Sequence, residues 1–136
     1  MDGSNDLALI AVPGIPLIDA ECDVVDLILV ALSAHNLTLM AGDILVIAQK
    51  IVSKAEGRMV NLAEVEPGDQ AHELARKTSK DPRLVELILS ESSEVLRAID
   101  ELIIVAHRLG IVLANAGIDA SNVAPSTAIE QGLLLP

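Results

Sequence analysis

The feature that most limits the fold is an uninterrupted apolar run at residues 44–48, which leads directly into a basic stretch. The run is rich in β-branched residues and too short for a helix, so it predicts a buried strand over residues 44–49. Lys50, Lys54 and Arg58 follow, and Lys50 is the first basic residue of the chain. Loops at the ends of buried strands often carry chemistry, so these cations indicate an anionic ligand. The alternative is a pair of surface lysines that balance nearby acids.

Composition bounds the size of the domain and excludes one class of partner. The chain has 136 residues, enough for one domain with its own core, and we expect a single domain over residues 1–136. Phe, Trp and Tyr are absent, so the core must consist of Leu, Ile, Val, Ala and Met. Without aromatic side chains there is no platform for base stacking, and a net charge of −11 leaves no cationic face. We therefore expect no binding to DNA or RNA.

Cysteine content and the N-terminal residues favour a cytoplasmic protein. Cys22 is the only cysteine, which excludes an internal disulfide and a cysteine-based metal cluster. The first six residues, MDGSND, are acidic and polar where a secretory signal needs basic residues. No apolar run approaches the ~18 residues that a membrane span requires. We expect a cytoplasmic location without membrane attachment.

Apolar patterning and capping residues predict a mixed α/β domain, with a mixed sheet flanked by helices. Asp23 and the pair Asp81 and Pro82 are typical helix starts, because an acidic side chain caps the first turn and proline there loses no hydrogen bond. The sequence leaves open whether the first two strands form a parallel βαβ unit, whereas the last two should form an antiparallel hairpin. The predicted helices cover residues 23–34, 69–79 and 82–91, and the predicted strands cover residues 7–12, 44–49, 102–106 and 111–115.

A second polar stretch, ANAGIDASN, follows the last predicted strand at residues 114–122. Gly117 can adopt a positive φ, and Asp119 places a carboxylate near the side-chain oxygens of Asn115 and Asn122. Oxygen-rich surroundings suit Mg²⁺ or Mn²⁺, although one carboxylate cannot form such a site alone. The alternative is an Asx-turn in which Asp119 only caps the loop.

General motifs do not identify a function, because the patterns G-x-x-x-x-G-K-[ST], G-x-G-x-x-G and G-x-S-x-G are all absent. Five stretches nevertheless carry a family resemblance. They are GIPLI at 14–18, GDILVIAQKIVSKAEGR at 42–58, KDPRLVELILSES at 80–92, ANAGIDASN at 114–122 and the closing LLLP. In order and spacing they resemble the γ-glutamyl ligases of the deazaflavin coenzyme F-420.

The resemblance implies an activity and a set of ligands. Ligases of this family use GTP to phosphorylate the terminal carboxylate of the coenzyme precursor, and the α-amine of L-glutamate then attacks the acyl phosphate. The family also implies Mg²⁺ or Mn²⁺, K⁺ as an assisting monovalent cation, and a homodimer. We therefore expect GTP, L-glutamate and the deazaflavin coenzyme as small-molecule partners.

The resemblance further implies site residues at matching positions. Asp119 would be a metal ligand. Gln49 and Lys50 stand where family members vary, whereas Lys54 and Asp119 match fixed positions. The implied nucleotide contacts are Ile15, Pro16, Leu17, Ile18, Gln49, Lys50, Lys54 and Asn122.

Length is the point at which the chain departs from the family. Family ligases continue past the LLLP motif into a second half, which has an S-D-T-x-G-R type segment and further metal-binding aspartates. We expect this chain to correspond to the N-terminal part of such a ligase, to need a separate C-terminal half, and to be weak or inactive alone. Two alternatives stay open: a non-catalytic nucleotide-binding or assembly domain of the same fold, and a ligase for a different acid.

Overall fold

The computed structural model describes residues 7–118 and 132–136, and all structural statements below concern this part of the chain. The helices are α1 (Val24–Ala34), α2 (Gln49–Ala55), α3 (Asp69–Thr78) and α4 (Pro82–Ser90). The strands are β1 (Met59–Asn61), β2 (Ser92–Ile99), β3 (Leu102–His107), β4 (Val112–Ala114) and β5 (Gly132–Leu134), and 3₁₀ turns cover Leu62–Glu64 and Asn115–Gly117. This mixture confirms the predicted α/β class. None of the described helices is long and apolar enough to cross a membrane.

The main sheet has the strand order β2-β3-β4, and both of its strand pairs are antiparallel. Val105 of β3 lies opposite Val95 of β2 on one side and opposite Leu113 of β4 on the other. The Gly110 N–H donates to the carbonyl oxygen of His107 over 2.9 Å, which closes the turn between β3 and β4. The predicted hairpin is therefore confirmed.

A second, two-stranded sheet pairs β1 with β5 in antiparallel orientation. Just beyond β5, the Leu135 N–H donates to the carbonyl oxygen of Arg58 over 3.0 Å, and the Leu135 side chain is buried. The closing LLLP segment thus lies beside the chain that leaves α2.

The core lies between the three-stranded sheet and helices α3 and α4. Ile103 and Val105 are fully buried on one face of β3, since side chains of a strand point alternately to opposite faces. Ala71 and Ala75 are four residues apart and so share the inner face of α3. The buried cluster consists of Ala71, Ala75, Val85, Ile88, Ile103, Val105 and Ala116. The hydrophobic cluster is thus built from aliphatic side chains, and the buried polar side chains of Thr78 in α3 and His107 in β3 lie on the same elements.

Helix α4 begins at its predicted cap. The Asp81 Oδ1 accepts the backbone N–H of Arg83 over 2.8 Å, and Pro82 occupies the first turn. The Arg83 side chain donates to the same carboxylate through Nε at 3.1 Å and through Nη2 at 2.7 Å. The side-chain hydrogen bond from Arg83 is the main cause that holds the pKa of the Asp81 carboxyl below its ordinary value.

We expect Asp81→Ala to lower the free energy of unfolding by about 1 kcal/mol at neutral pH, the usual effect of losing an N-cap. The folded-state pKa is lowered, so this contribution is complete above the ordinary carboxyl pKa and is lost as pH falls through the folded-state value. Urea unfolding followed by circular dichroism, at neutral pH and at strongly acidic pH, measures both effects. Asp81→Asn is the control that keeps an acceptor oxygen. Equal stability of Asp81→Ala and the unchanged protein at neutral pH would contradict the capping role.

Helix α1 is also present, but its apolar side chains are poorly covered. Its predicted start is confirmed, because Asp23 Oδ1 accepts the Asp26 N–H over 3.0 Å, and the helix ends before Asn36, which has a φ of 54°. Of its residues, Ala31 and Leu32 are buried. The large apolar residues that it exposes are Val25, Leu29 and Val30.

Two predicted strands are absent. The structure assigns neither helix nor strand to residues 7–12 or 43–48, and Gln49 is the first residue of α2 rather than the end of a strand. The prediction of strands over residues 7–12 and 44–49 was therefore wrong. Without these strands, the described residues do not form the parallel βαβ unit that the sequence had left open. An apolar β-branched segment becomes a strand only where a neighbour supplies ladder hydrogen bonds, and no described segment does so here.

Candidate functional site

Helix α2 connects the two stretches in which sequence analysis placed site residues. At its start, the Gln49 side chain donates through Nε2 to the carbonyl oxygen of Gly117 over 3.0 Å. At its end, the carbonyl oxygen of Ala55 accepts the Glu21 N–H over 2.9 Å. Glu21 follows the GIPLI loop closely and Gly117 precedes Asp119 by two positions. The predicted basic loop is thus a short helix, held at both ends between the predicted ligand-binding stretches.

The GIPLI loop is fixed against the end of α1. Gly14 has a φ of 80°, a conformation that residues with a Cβ atom rarely adopt. A Cβ atom at this position would also lie 3.0 Å from Cε1 of His35. Both the backbone conformation and the close approach of the His35 ring therefore require glycine at this turn.

The four predicted nucleotide contacts of this loop differ in exposure. Ile18 is buried and Ile15 is half-buried, and both line an apolar cavity of 590 Å³ beside α1. Pro16 and Leu17 are exposed, with 89% of Leu17 accessible to solvent. The loop is therefore anchored by its two isoleucines and presents Pro16 and Leu17 outward.

A left-handed turn precedes the predicted metal ligand. Asn115, Ala116 and Gly117 have φ values of 48°, 53° and 70°, so the positive φ predicted for Gly117 is confirmed and extends to two residues that carry a Cβ atom. The Asn115 Oδ1 accepts the Ile103 N–H over 3.1 Å, and Ala116 is fully buried. Strand β3 and the core thereby stabilise an otherwise strained backbone. The predicted site residues Asp119 and Asn122 lie outside the described residues.

Helix α2 itself carries two lysine side chains. Ser53 is buried, and its Oγ donates to the carbonyl oxygen of Gln49 over 3.1 Å, which fixes the helix internally. Lys50 and Lys54 are half-buried, and α2 contains no acidic residue. Within the described part of the chain, the Lys54 ammonium has no hydrogen bond or ion pair. A half-buried cation without an acidic partner is suited to an anionic ligand.

Arg58, the third cation of the basic stretch, is engaged inside the protein instead. Its Nη2 donates to Oε2 of Glu91 over 2.8 Å, and Nη2 of Arg108 forms an ion pair with the same oxygen at 2.9 Å. The Glu91 side chain is only 5% exposed. Glu91 stands at the end of α4 and Arg108 in the turn after β3, so this carboxylate joins three parts of the fold.

His107 completes this buried cluster. Its Nδ1 accepts the Leu109 N–H over 3.1 Å, so the neutral ring carries its proton on Nε2. Nε2 lies 3.4 Å from Oε2 of Glu91, and the ring is fully buried. Sequence analysis did not find the cluster, because its members Arg58, Glu91, His107 and Arg108 are distant in the chain and no local pattern joins them. A charged residue directly after the apolar helix α4 was the one available signal.

The described residues do not by themselves form a site for a divalent ion. Among residues 7–118 and 132–136, no three His, Cys, Asp or Glu side chains come close enough together to hold a metal ion. Asp119, outside these ranges, adds one carboxylate, whereas Mg²⁺ takes near-octahedral oxygen coordination and commonly more than one carboxylate. A divalent ion at Asp119 would therefore need ligands in addition to this carboxylate.

Comparison with known proteins identifies the family. Residues 14–136 match the family model described as F420-0:Gamma-glutamyl ligase. A coenzyme F420:L-glutamate ligase of Methanothermobacter thermautotrophicus is 50% identical over 117 residues, which cover 86% of this chain and 46% of the relative. The ligase of the same name from Methanopyrus kandleri is 46% identical over 101 residues, covering 74% of this chain and 40% of the relative.

A third relative extends the match over nearly the whole chain. The coenzyme F420:L-glutamate ligase of Archaeoglobus fulgidus is 40% identical over 125 residues, or 92% of this chain and 46% of the relative. The chain thus spans about half the length of the curated relatives that it matches. Because the family model covers residues 14–136 and three relatives agree, the chain belongs to the F420-0:gamma-glutamyl ligase family.

Proposed function

We propose that the chain is the nucleotide-binding part of a GTP-dependent ligase that adds L-glutamate to the precursor of the deazaflavin coenzyme F-420. Membership in the family and the names of the relatives support the reaction class. The observation that carries the assignment of this part is the position of α2. Its Gln49 contacts Gly117 and its Ala55 contacts Glu21, so Lys54 lies on a helix held between two loops.

In the proposed reaction, an oxygen of the terminal carboxylate of the coenzyme precursor attacks the γ-phosphorus of GTP, and GDP leaves. The α-amine of L-glutamate then attacks the carbon of this acyl phosphate, the amide bond forms, and inorganic phosphate and a proton leave. Negative charge on the transferred phosphoryl oxygens must be offset in the first step. We assign this task to Lys54, whose ammonium has no acidic partner in the described part of the chain.

The remaining proposed contacts are assigned from the solvent exposure of the side chains or from the family resemblance. Pro16 and Leu17 point an apolar surface outward, where the flat face of a purine could rest on them, while Ile15 and Ile18 hold the loop in place. Asp119 would be one ligand of Mg²⁺ or Mn²⁺, which supplies positive charge to the phosphates when bound. The proposal also includes Asn122 as a nucleotide contact, K⁺ as an assisting cation and a homodimer, all from the family resemblance. The relatives are about twice as long as this chain, so we assign the ligation step to a protein that also contains the second half.

We expect Lys54→Ala, in this chain joined to its second half, to weaken GTP binding by roughly 1.5–3 kcal/mol, the usual contribution of a hydrogen bond to a charged group. Lys50→Ala should have a smaller effect, because Lys50 stands where family members vary. Calorimetric titration with GTP in the presence of Mn²⁺ measures both. Lys77→Ala on the exposed side of α3 is the matched control and should leave binding unchanged. A larger effect of Lys50→Ala than of Lys54→Ala would show that the nucleotide contacts are misassigned.

The titration, together with a glutamate-incorporation assay, separates the proposed function from the two alternatives. A non-catalytic assembly domain without a nucleotide site should release no heat with GTP or GDP. A ligase for a different acid should bind GTP with the same dependence on Lys54 but fail to incorporate glutamate into the coenzyme precursor. The proposed function therefore needs both nucleotide binding and glutamate incorporation.

A further inference from the structure

Helix α2 depends on contacts outside itself for its position. It has seven residues, and isolated helices shorter than about 12–15 residues are marginal in water. Ala48 at its N-cap makes no side-chain hydrogen bond, and Ser53 is its one buried residue, so capping and packing hold the helix only weakly. The orientation in which α2 presents Lys54 therefore depends on the contacts at the two ends of the helix.

Arg58 provides several of these contacts at the C-terminal end. Its N–H donates to the carbonyl oxygen of Ser53 over 2.8 Å, which connects its backbone directly to the helix. Its carbonyl oxygen accepts the Leu135 N–H over 3.0 Å, and its Nη2 donates to Oε2 of Glu91 over 2.8 Å. The backbone and the side chain of this one residue thus connect α2 to the closing segment and to the end of α4.

The Glu91 carboxylate is itself held firmly. Its side chain is buried, and its backbone N–H donates to the carbonyl oxygen of Leu87 over 3.2 Å. Its own carbonyl oxygen accepts the Arg108 N–H over 3.0 Å, and its Oε2 forms an ion pair with Nη2 of Arg108 at 2.9 Å. Because charge-assisted hydrogen bonds are short and strong, the bond from Arg58 to this carboxylate restricts where α2 can end.

The cluster contains more buried polar groups than it satisfies. Among the described residues, Nε of Arg58 and Nε2 of His107 are buried and make no hydrogen bond. Such groups cost free energy, and buried ion pairs are often no more stabilising than apolar side chains of similar volume. Incomplete hydrogen bonding of this kind favours a role beyond stability. The connection to α2 indicates what that role is.

We propose that Glu91 is a positioning residue of the nucleotide site: through Arg58 it holds the end of α2, so that the Lys54 ammonium stays directed at the phosphates of GTP. This inference rests on the proposed function, because it takes Lys54 as the phosphate contact. Glu91 acts without touching the nucleotide, since its charge has the same sign as that of the phosphates and its Oε2 already pairs with two arginines.

Glu91→Gln distinguishes positioning from electrostatics by the sign of its effect. The change removes a negative charge, so electrostatics alone predicts tighter binding of the anionic nucleotide. Positioning predicts the reverse: GTP binding should weaken by roughly fivefold, because a neutral acceptor holds Arg58 less strongly than a carboxylate does. Calorimetric titration with GTP and Mn²⁺, in the protein that contains both halves, measures this change. Circular dichroism at the same temperature should show that the variant is folded.

Glu91→Asp is a second variant that keeps the charge and changes only the reach of the side chain. It is one methylene shorter, so it should also weaken GTP binding, which separates geometry from charge and provides the test if Glu91→Gln does not fold. Glu94→Gln is the matched control, because it removes the same charge from an exposed position of β2. It should bind GTP as tightly as the unchanged protein.

A double-mutant cycle shows whether Glu91 acts through Lys54. In the Lys54→Ala background, Glu91→Gln should change GTP affinity by less than about twofold, because no ammonium is left to misplace. Hydrogen exchange measured by mass spectrometry gives a readout that needs no nucleotide. Exchange in α2 should become faster in Glu91→Gln, while exchange in α3 should keep its rate.

The outcomes separate this proposal from the proposed function. If the unchanged protein binds no GTP, or if Lys54→Ala binds it equally well, the nucleotide assignment fails and the positioning role fails with it. If Lys54→Ala weakens binding but neither variant of Glu91 does, the positioning role alone is overturned. It is also overturned if Glu91→Gln keeps its full effect without Lys54, or if exchange accelerates equally in α2 and α3, as a purely stabilising residue would predict.

Discussion

Replacing Glu91 by alanine should lower the free energy of unfolding by about 3 kcal/mol, because removing one partner of a buried ion pair leaves the others uncompensated. The Glu91 carboxylate accepts a hydrogen bond from Arg58 at 2.8 Å and forms an ion pair with Arg108 at 2.9 Å, and Nε2 of His107 lies 3.4 Å away. Within the described residues the fully buried His107 Nε2 makes no hydrogen bond, and without Glu91 it also loses the carboxylate 3.4 Å away. Arg108 is 50% exposed and can return to water, which keeps the loss at the lower end of the usual range.

Urea unfolding followed by far-UV circular dichroism measures this loss, since the chain has no Trp or Tyr for fluorescence. Arg58→Ala should cost more than Arg108→Ala, because the Arg58 side chain is 24% exposed and that of Arg108 is 50% exposed. Glu94→Ala removes the same charge from an exposed position of β2 and should change stability by less than about 0.5 kcal/mol. Similar losses of stability for Glu91→Ala and Glu94→Ala would show that the cluster contributes no more to stability than a surface contact does.

The cluster also has a consequence for the candidate site. Arg58 follows α2 closely, and its N–H donates to the carbonyl oxygen of Ser53 over 2.8 Å. Glu91 therefore ties the end of the helix that carries Lys54 to α4 and to the turn after β3. A loss of stability in Glu91→Ala should start with the detachment of α2 from these elements, which hydrogen exchange can locate.

The helices with side-chain caps could be predicted from the sequence. Asp23 and Asp81 each accept a backbone N–H in the first turn, and the helices begin directly after them. Capping is a local interaction between residues two or three positions apart, so its signal is contained in a short stretch of sequence. The hairpin of β3 and β4 was predictable for the same reason, because His107 and Gly110 form its turn locally.

Strand β2 was not predicted from the sequence because its pairing with β3 is irregular. Register shifts occur between Ser92 and Glu94 and between Val95 and Arg97. As a result, the less exposed positions of β2 recur at residues 92, 95 and 98, every third residue rather than every second. Bulges of this kind remove the alternation by which a strand is recognised.

Helix α2 was missed, and the segment before it was taken for a strand, for two different physical reasons. Ala48 at the N-cap position of α2 makes no side-chain hydrogen bond, so the helix has no start signal, and its Ile51 and Val52 favour strands. Residues 44–48 have the composition of a buried strand, but strand formation depends on a partner that these described residues do not include. The composition of a segment indicates whether it can form a strand. Whether it does so depends on a pairing partner that is distant in the sequence.

The candidate site residues remain a prediction from the family resemblance, whereas the contacts that hold them in place could not be predicted at all. The resemblance named Gln49, Lys54 and the GIPLI loop, but nothing in the sequence indicated that Gln49 donates to Gly117 across the fold. Nor did the sequence indicate that Arg58, the third cation of the basic stretch, pairs with Glu91. Both contacts join residues more than thirty positions apart, as their separations of 68 and 33 show, and such contacts leave no periodic pattern.

Asp119→Asn should abolish glutamate incorporation in a protein that contains both halves, while leaving the fold intact. Asparagine is nearly isosteric and can still form an Asx-turn, so the thermal melt should not change. An amide is a far poorer ligand than a carboxylate for a hard divalent cation, so the affinity for Mn²⁺ should fall as well. Glutamate incorporation at limiting Mn²⁺, a direct Mn²⁺ binding measurement and a thermal melt of each variant give three independent readouts.

The alternative role of Asp119, a loop cap, predicts the opposite ranking of variants. Asp119→Asn would then keep its activity, and Asp119→Leu, which lacks the hydrogen bond of the turn, would lose stability. Asp100→Asn removes the same charge from the exposed turn between β2 and β3 and should affect neither activity nor Mn²⁺ binding. The left-handed turn at Asn115–Gly117 is anchored by Ile103 and the buried Ala116, so its geometry should survive either change at Asp119. If Asp119→Asn incorporates glutamate at the unchanged rate under limiting Mn²⁺, Asp119 is not a metal ligand, and the chemistry must be assigned to the second half.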